Sequence, residues 1–182
     1  MAMRRSKSLV VLLDRDGIIN RMRPDYVKRW EEVEIIPGAL DTLARLSRGG
    51  RELIVLTNQS AIGRGLVSQK TVDDIHDRIA SLIQGRGGKI RAFLVCPHTP
   101  ADACDCRKPA PGLLFRARDE LGVDLSRAVM VGDQPSDVEA ARAAGCRAIL
   151  LDPDGDMARK PEAAWTTARS LSEAADLILR DR

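Results

Sequence analysis

Residues 8–17 read Ser8-Leu9-Val10-Val11-Leu12-Leu13-Asp14-Arg15-Asp16-Gly17. A short run of Val and Leu without polar interruption reads as a strand buried on both faces. It stops abruptly at two carboxylates and a glycine. Four later runs share this character: Glu52–Thr57, Ile90–Cys96, Ala128–Gly132 and Arg147–Leu151. Segments of helical period separate them. One is Gly38–Ser47, ended by Gly49-Gly50; a second is capped by Ser68 and runs to about Gln84. Others run from Pro111 to Leu121, over Ser136–Ala144 before Gly145, and over Ser172–Arg180. Alternating strands and helices predict an α/β fold in three layers, a parallel sheet with helices on both faces. Ligands of such folds bind beyond the carboxyl ends of the strands.

Composition narrows the function. The chain has 182 residues, 44% hydrophobic and 30% charged, enough to bury a core, and reads as one domain over 1–182. Its 29 Lys+Arg stand against 26 Asp+Glu, a net charge of +3. That balance is too even for a dedicated nucleic-acid binder, and part of the excess sits at the ends (Arg4, Arg5, Lys7, Arg180, Arg182). Aromatic residues are 3%, which leaves no stacking platform for single strands. The basic start leads into the apolar run Leu9–Leu13, shorter than the ~7–15 residues of a secretory signal. No stretch approaches the ~18 apolar residues of a membrane span. The expectation is a cytoplasmic monomer that uses neither nucleic acid nor membrane, and its four cysteines are not a disulfide framework.

The strand ends carry the chemistry. Asp14 and Asp16, two residues apart, can point the same way and share a hard cation such as Mg²⁺. Asp and Gly also favour turns, so Asp14-Arg15-Asp16-Gly17 alone stays open between the two readings. The second strand ends in Thr57-Asn58-Gln59-Ser60, a hydroxyl and two amides able to face phosphate oxygens, or an ordinary capped turn. The fourth ends in Gly132-Asp133-Gln134-Pro135-Ser136-Asp137, where Asp133 can complete a Mg²⁺ site. Ser136 with Glu139 spells a helix capping box, and Asp137 is either a helper of the site or part of that helix start.

The third strand leads into Cys96-Pro97-His98 and then Cys104-Asp105-Cys106. Three thiols and an imidazole within the loop 96–106 suit tetrahedral structural zinc. The alternative is chance crowding of buried cysteines. Cys146, in an apolar context, reads as core. Arg107 and Lys108 follow the loop directly. Lys108 could neutralise a phosphoryl group and a carboxylate, and Arg107 could grip a second anion; a solvated surface pair is the plain alternative. His76, within a helix, has no visible partner.

Taken in order, paired acids, a hydroxyl, a lysine and another acid, each after a separate strand, resemble the haloacid dehalogenase (HAD) superfamily of aspartate-nucleophile phosphatases. The likeness spans residues 8–151 and implies a Rossmann-like HAD fold. Neither the interval from Asp14 to Thr57 nor that from Thr57 to Lys108 holds a separate cap domain, so only the loops Asn20–Trp30, Ser60–Leu66 and 96–106 are expected to cover the site. Four segments are similar to the heptose-1,7-bisphosphate 7-phosphatase group: DRDGIIN (14–20), TNQSAIGRG (57–65), CPH (96–98) and CDCRKPAPGLL (104–114). The resemblance implies a Mg²⁺-dependent phosphatase with structural Zn²⁺, acting on a sugar phosphate through an aspartyl phosphate. In it Asp14 is the nucleophile and Asp16 the acid and base; Thr57 and Lys108 hold the phosphoryl oxygens. Asp14, the Asp16 carbonyl and Asp133 hold Mg²⁺. Asn20, Tyr26, Asn58, Gln59, Ser60 and Arg107 are candidates for substrate contact. The short zinc loop also resembles histidinol-phosphate phosphatases, whereas Asn20, Ser60 and Ala110-Pro111-Gly112 resemble the heptose type. A polynucleotide 3′-phosphatase and a non-enzymatic zinc module are the more distant alternatives.

Overall fold

The protein is described by a computed structural model over residues 9–155 and 166–181. The basic residues Arg4, Arg5, Lys7 and Arg182 lie outside that description. Five strands fall where the apolar runs predict them: β1 (Val10–Leu13), β2 (Glu52–Asn58), β3 (Ile90–Cys96), β4 (Ala128–Gly132) and β5 (Arg147–Leu151). A sixth, β6 (Thr166–Ala168), escapes sequence reading because three residues are too short to show a period. All pair in parallel, in the order β3-β2-β1-β4-β5-β6.

The helices are α1 (Ala39–Arg48), α2 (Ser60–Gly63), α3 (Gln69–Gln84), α4 (Gly112–Leu121), α5 (Pro135–Ala143) and α6 (Leu171–Arg180). The Ser68 cap is real: its hydroxyl accepts the Thr71 N–H at 3.0 Å. The short α2, at four residues, is below the length at which a helical period shows in the sequence. Alternate strand residues serve opposite faces of the sheet. Val11 and Leu13 join Leu43, Ile79 and Ile178 under α1, α3 and α6. Val10 and Leu12 join Leu113, Leu114 and Val138 under α4 and α5. Buried on both sides, the sheet needs the unbroken apolar runs seen in the sequence. Among the described residues no helix is long and apolar enough to cross a membrane.

The strand order reverses beside β1. β2 and β3 extend the sheet on one side, and β4 returns to the other. Leu13 lies level with both Val55 and Val131. The residues that follow β1 and β4 therefore emerge side by side at the switch point.

Candidate active site

Asp14 and Asp133 leave the sheet at this switch point, and a buried cation joins the neighbouring acids. Lys108 Nζ lies 3.0 Å from Asp14 Oδ1 and 2.7 Å from Asp137 Oδ1, and donates to the Leu56 carbonyl at 2.8 Å. Burial alone would lower the Lys108 pKa; Asp14 and Asp137 outweigh it and hold it above its ordinary value. Asp14 moves the other way, from 3.8 to about 7, because burial outweighs Lys108, with Asp137 and Asp16 adding repulsion. Burial also raises Asp133. Asn58 clamps the lysine from β2: its Oδ1 accepts the Lys108 N–H at 3.2 Å and its Nδ2 donates to the Lys108 carbonyl at 3.1 Å.

Two glycines let the acids approach. Gly17 has φ +87°, and a Cβ there would lie 2.2 Å from Asp133 Oδ2. A Cβ on Gly132 would lie 2.2 Å from Asp137 Oδ2. The helix start after β4 differs from the expected Ser136–Glu139 capping box. The box joins Gln134 and Asp137, with the Gln134 N–H donating to Asp137 Oδ2 at 3.2 Å. Pro135, favoured in a first helical turn, starts α5 one residue earlier, which places Ser136 inside the helix. Asp137 thus has one oxygen on the helix start and one on Lys108.

Asp16 is held separately. Arg15 donates to both its oxygens, from Nη2 at 2.8 and 2.9 Å and from Nε at 3.3 Å. Asn20 Nδ2 donates to Oδ1 and Gln59 Nε2 to Oδ2, each at 2.8 Å. Gln59 Nε2 also reaches the Thr57 hydroxyl at 2.8 Å. Burial alone would raise the Asp16 pKa; the Arg15 guanidinium and these donors hold it below the usual range. Asn20 and Gln59 are thus engaged with the acid beside the cavity. Sequence reading passed over Arg15, although it stands inside the decisive motif, because spacing does not say where its side chain turns.

A cavity of about 310 Å³ opens over these groups. Tyr26, Ser60 and Arg107 line it together with Asp14, Asp16 and Lys108. Tyr26 has φ 65°, a left-handed conformation unusual for a bulky side chain. Loops and the short α2 surround the site. A larger cavity, about 580 Å³, lies across Met22 and Asp133 and holds none of Asp14, Asp16 or Lys108.

The loop after β3 gathers Cys96, His98, Cys104 and Cys106. Cys106 Sγ lies 3.1 Å from Cys96 Sγ, 3.5 Å from Cys104 Sγ and 3.2 Å from His98 Nδ1. Cys96 Sγ lies 3.6 Å from Cys104 Sγ and 3.7 Å from His98 Nδ1. A tetrahedron with metal–sulfur bonds of about 2.3 Å has edges of about 3.8 Å, so the four donors sit near the corners one ion requires. Burial first, and then the neighbouring thiols, push the Cys106 pKa up. Arg107, next in sequence, donates from Nη1 to the His98 carbonyl at 3.3 Å.

The second metal-competent group is Asp14, Asp133 and Asp137, whose ligand atoms lie within 4.8 Å of one another. Asp133 Oδ1 is buried without a hydrogen-bond partner. An orphaned buried carboxylate oxygen beside two more acids and a single lysine fits a hard divalent cation.

Residues 105–174 match the HAD-hydrolase-like family. The chain is 44% identical over 146 residues to the D-glycero-β-D-manno-heptose-1,7-bisphosphate 7-phosphatase of Pseudomonas aeruginosa, covering 80% of this chain and 82% of that protein. It is 35% identical over 174 residues to the Escherichia coli K12 enzyme of the same name, covering 92% and 90%. The crystal structure of D,D-heptose 1,7-bisphosphate phosphatase from B. bronchiseptica, complexed with magnesium and phosphate, superposes with a TM-score of 0.88 at 34% identity, over 96% of this chain and 99% of that one. With its motifs at the switch point of a parallel sheet and this likeness along most of its length, the chain belongs to the HAD-like D-glycero-β-D-manno-heptose-1,7-bisphosphate 7-phosphatase family.

Proposed function

We propose that the protein hydrolyses the 7-phosphate of D-glycero-β-D-manno-heptose 1,7-bisphosphate, leaving the 1-phosphate. The observation that carries the reaction is the Asp14–Lys108–Asp137 chain at the ends of β1 and β4. Asp14 Oδ2 attacks phosphorus while Lys108 holds the other carboxylate oxygen, Oδ1. The P–O bond to C7 breaks, Asp16 protonates the departing oxygen, and an aspartyl phosphate remains. Asp16 then takes a proton from the water that attacks that phosphorus, which frees Asp14 and phosphate. A carboxylate held below its ordinary pKa suits this second step. For the first, the entering phosphate dianion raises its proton affinity. Thr57 and Lys108 receive the phosphoryl oxygens.

Mg²⁺, held by Asp14, the Asp16 carbonyl and Asp133, would supply neutralisation of charge on the transferring group. The Cys₃His cluster would hold Zn²⁺ as a closed structural site, which fixes the loop that carries Arg107 and Lys108. Arg107 then meets the second phosphate, at C1, and a monophosphate has less use for it. Tyr26 and Ser60 face the sugar. The same reading makes the enzyme a cytoplasmic monomer; sedimentation at working concentration should give the mass of one chain.

The five residues between His98 and Cys104 favour a second reading, histidinol phosphate. The deciding experiment is phosphate release with Mg²⁺ on the α and β heptose 1,7-bisphosphates and histidinol phosphate. A kcat/KM highest on the β bisphosphate is the expected result. Preference for histidinol phosphate overturns the substrate and leaves the reaction standing.

A further inference from the structure

Arg15 is the largest fully buried side chain described, 1% exposed, and it lies between the two acids in sequence. Its fork is already occupied. Nε and Nη2 grip Asp16, Nη2 also donates to Gln59 Oε1 at 3.2 Å, and Nη1 lies 3.3 Å from His76 Nε2. With these donors engaged, the Arg15 side chain is poorly placed to grip a phosphate, although the residue borders the cavity. It aims a carboxylate instead. His76 is 3% exposed and comes from α3, 61 residues away in sequence. Its ring stacks on Phe93 of β3, with centroids 4.3 Å apart and planes 9° from parallel.

Guanidinium only donates, so Nε2 of His76 accepts, and the imidazole is neutral with its proton on Nδ1. Burial, and then Arg15 itself, push the His76 pKa down to about 3, consistent with that state. The α3–β3 packing thereby holds the far nitrogen of the guanidinium. Rotation of the fork would unseat its contacts to Asp16.

The geometry points to Arg15 and His76 as positioning residues for proton transfer: His76 locks the Arg15 guanidinium, and Arg15 locks the Asp16 carboxylate at the leaving oxygen. This rests on the reading of Asp16 as general acid. Both act through the Asp16 carboxylate.

The experiment is a leaving-group series, with kcat/KM measured on phosphate monoesters from alkyl esters to an activated nitrophenyl ester. This parameter covers binding and the steps up to leaving-group departure, so hydrolysis of the aspartyl phosphate does not enter it. His76→Leu is expected to lower kcat/KM on the alkyl esters about tenfold or more, a share of what general acid catalysis supplies. It should leave the nitrophenyl ester, which departs unprotonated, within about twofold. His76→Gln, which keeps an acceptor, should restore most of the loss. Arg15→Lys keeps the charge without the fork and should show the same steepened dependence, which covers the case of a His76→Leu protein that does not fold. A uniform fall across the series, or no fall, overturns the proposal. Asp16→Asn is run beside them. If it too shows no dependence on the leaving group, the reading of Asp16 has failed, and the failure is not specific to Arg15 and His76.

Discussion

Asp14 sits in a buried neighbourhood of three acids and one lysine. Its exchange for Asn is expected to abolish phosphate release while fold and zinc content persist; retained turnover would sink the covalent route. The same residue gives the metal-free protein a pH dependence of known sign. Its folded pKa, about 7, lies above the ordinary 3.8, so the native state binds more protons between these values. Its contribution to stability is complete below pH 3.8 and is lost as pH rises through about 7. Urea titrations without metal should show this loss in the wild type and a flatter profile in Asp14→Asn; equal slopes would contradict the assignment. Gly132→Ala is a test of crowding. A methyl 2.2 Å from Asp137 Oδ2 must displace that acid from Lys108. Turnover should fall at least tenfold, as expected when a catalytic group is moved by about 1 Å.

Single elements carry other consequences. The loop after β3 brings together four donors able to hold one metal ion. Stripping the ion with a chelator should lower turnover on the bisphosphate, because Arg107 leans on the His98 carbonyl and Lys108 follows directly. Metal analysis should find about one zinc per chain before treatment. Normal turnover by the stripped protein would separate the cluster from the site. Helix α3 contributes through His76, which faces Arg15, with Asp16 beyond it. Its folded pKa is depressed from 6.5 to about 3. Its stabilisation is therefore present above pH 6.5 and is lost as pH falls towards about 3, an effect of up to about 5 kcal/mol. His76→Gln should flatten the acid limb of the stability curve, as read by denaturant unfolding.

Across the whole molecule, the apolar layers and the reacting groups occupy different places. The two apolar layers above and below the sheet hold the strand ends level, and the reacting groups lie at one edge of both. Leu43, fully buried on α1, belongs to the layer and not to the cavity. Leu43→Ala is expected to cost about 2–5 kcal/mol of unfolding free energy with little change in kcat/KM below the melting range. A large loss of kcat/KM in the folded variant would mean that the layer tunes the site as well as supporting it.

Much of this was readable before any coordinates. Unbroken Val/Leu/Ile runs mean strands buried on both faces, and their alternation with helical segments leaves few topologies besides a parallel sheet. That arrangement sends Asp14, Thr57 and Asp133 to one end, and the sequence already groups three cysteines with a histidine in one loop. Local signals mark local outcomes, because caps, periods and ligand types act over a few residues. The three-residue β6 fell below that range, and the helix start at Gln134 turned on competition between adjacent caps. What only the tertiary structure decided is where long side chains go. Asn58 turned to the Lys108 backbone and Asn20 and Gln59 to Asp16, while Arg15 folded inward to meet His76 across 61 residues. Such contacts depend on which elements pack together and on buried donors finding acceptors, a condition set by the whole molecule and invisible in any stretch of sequence.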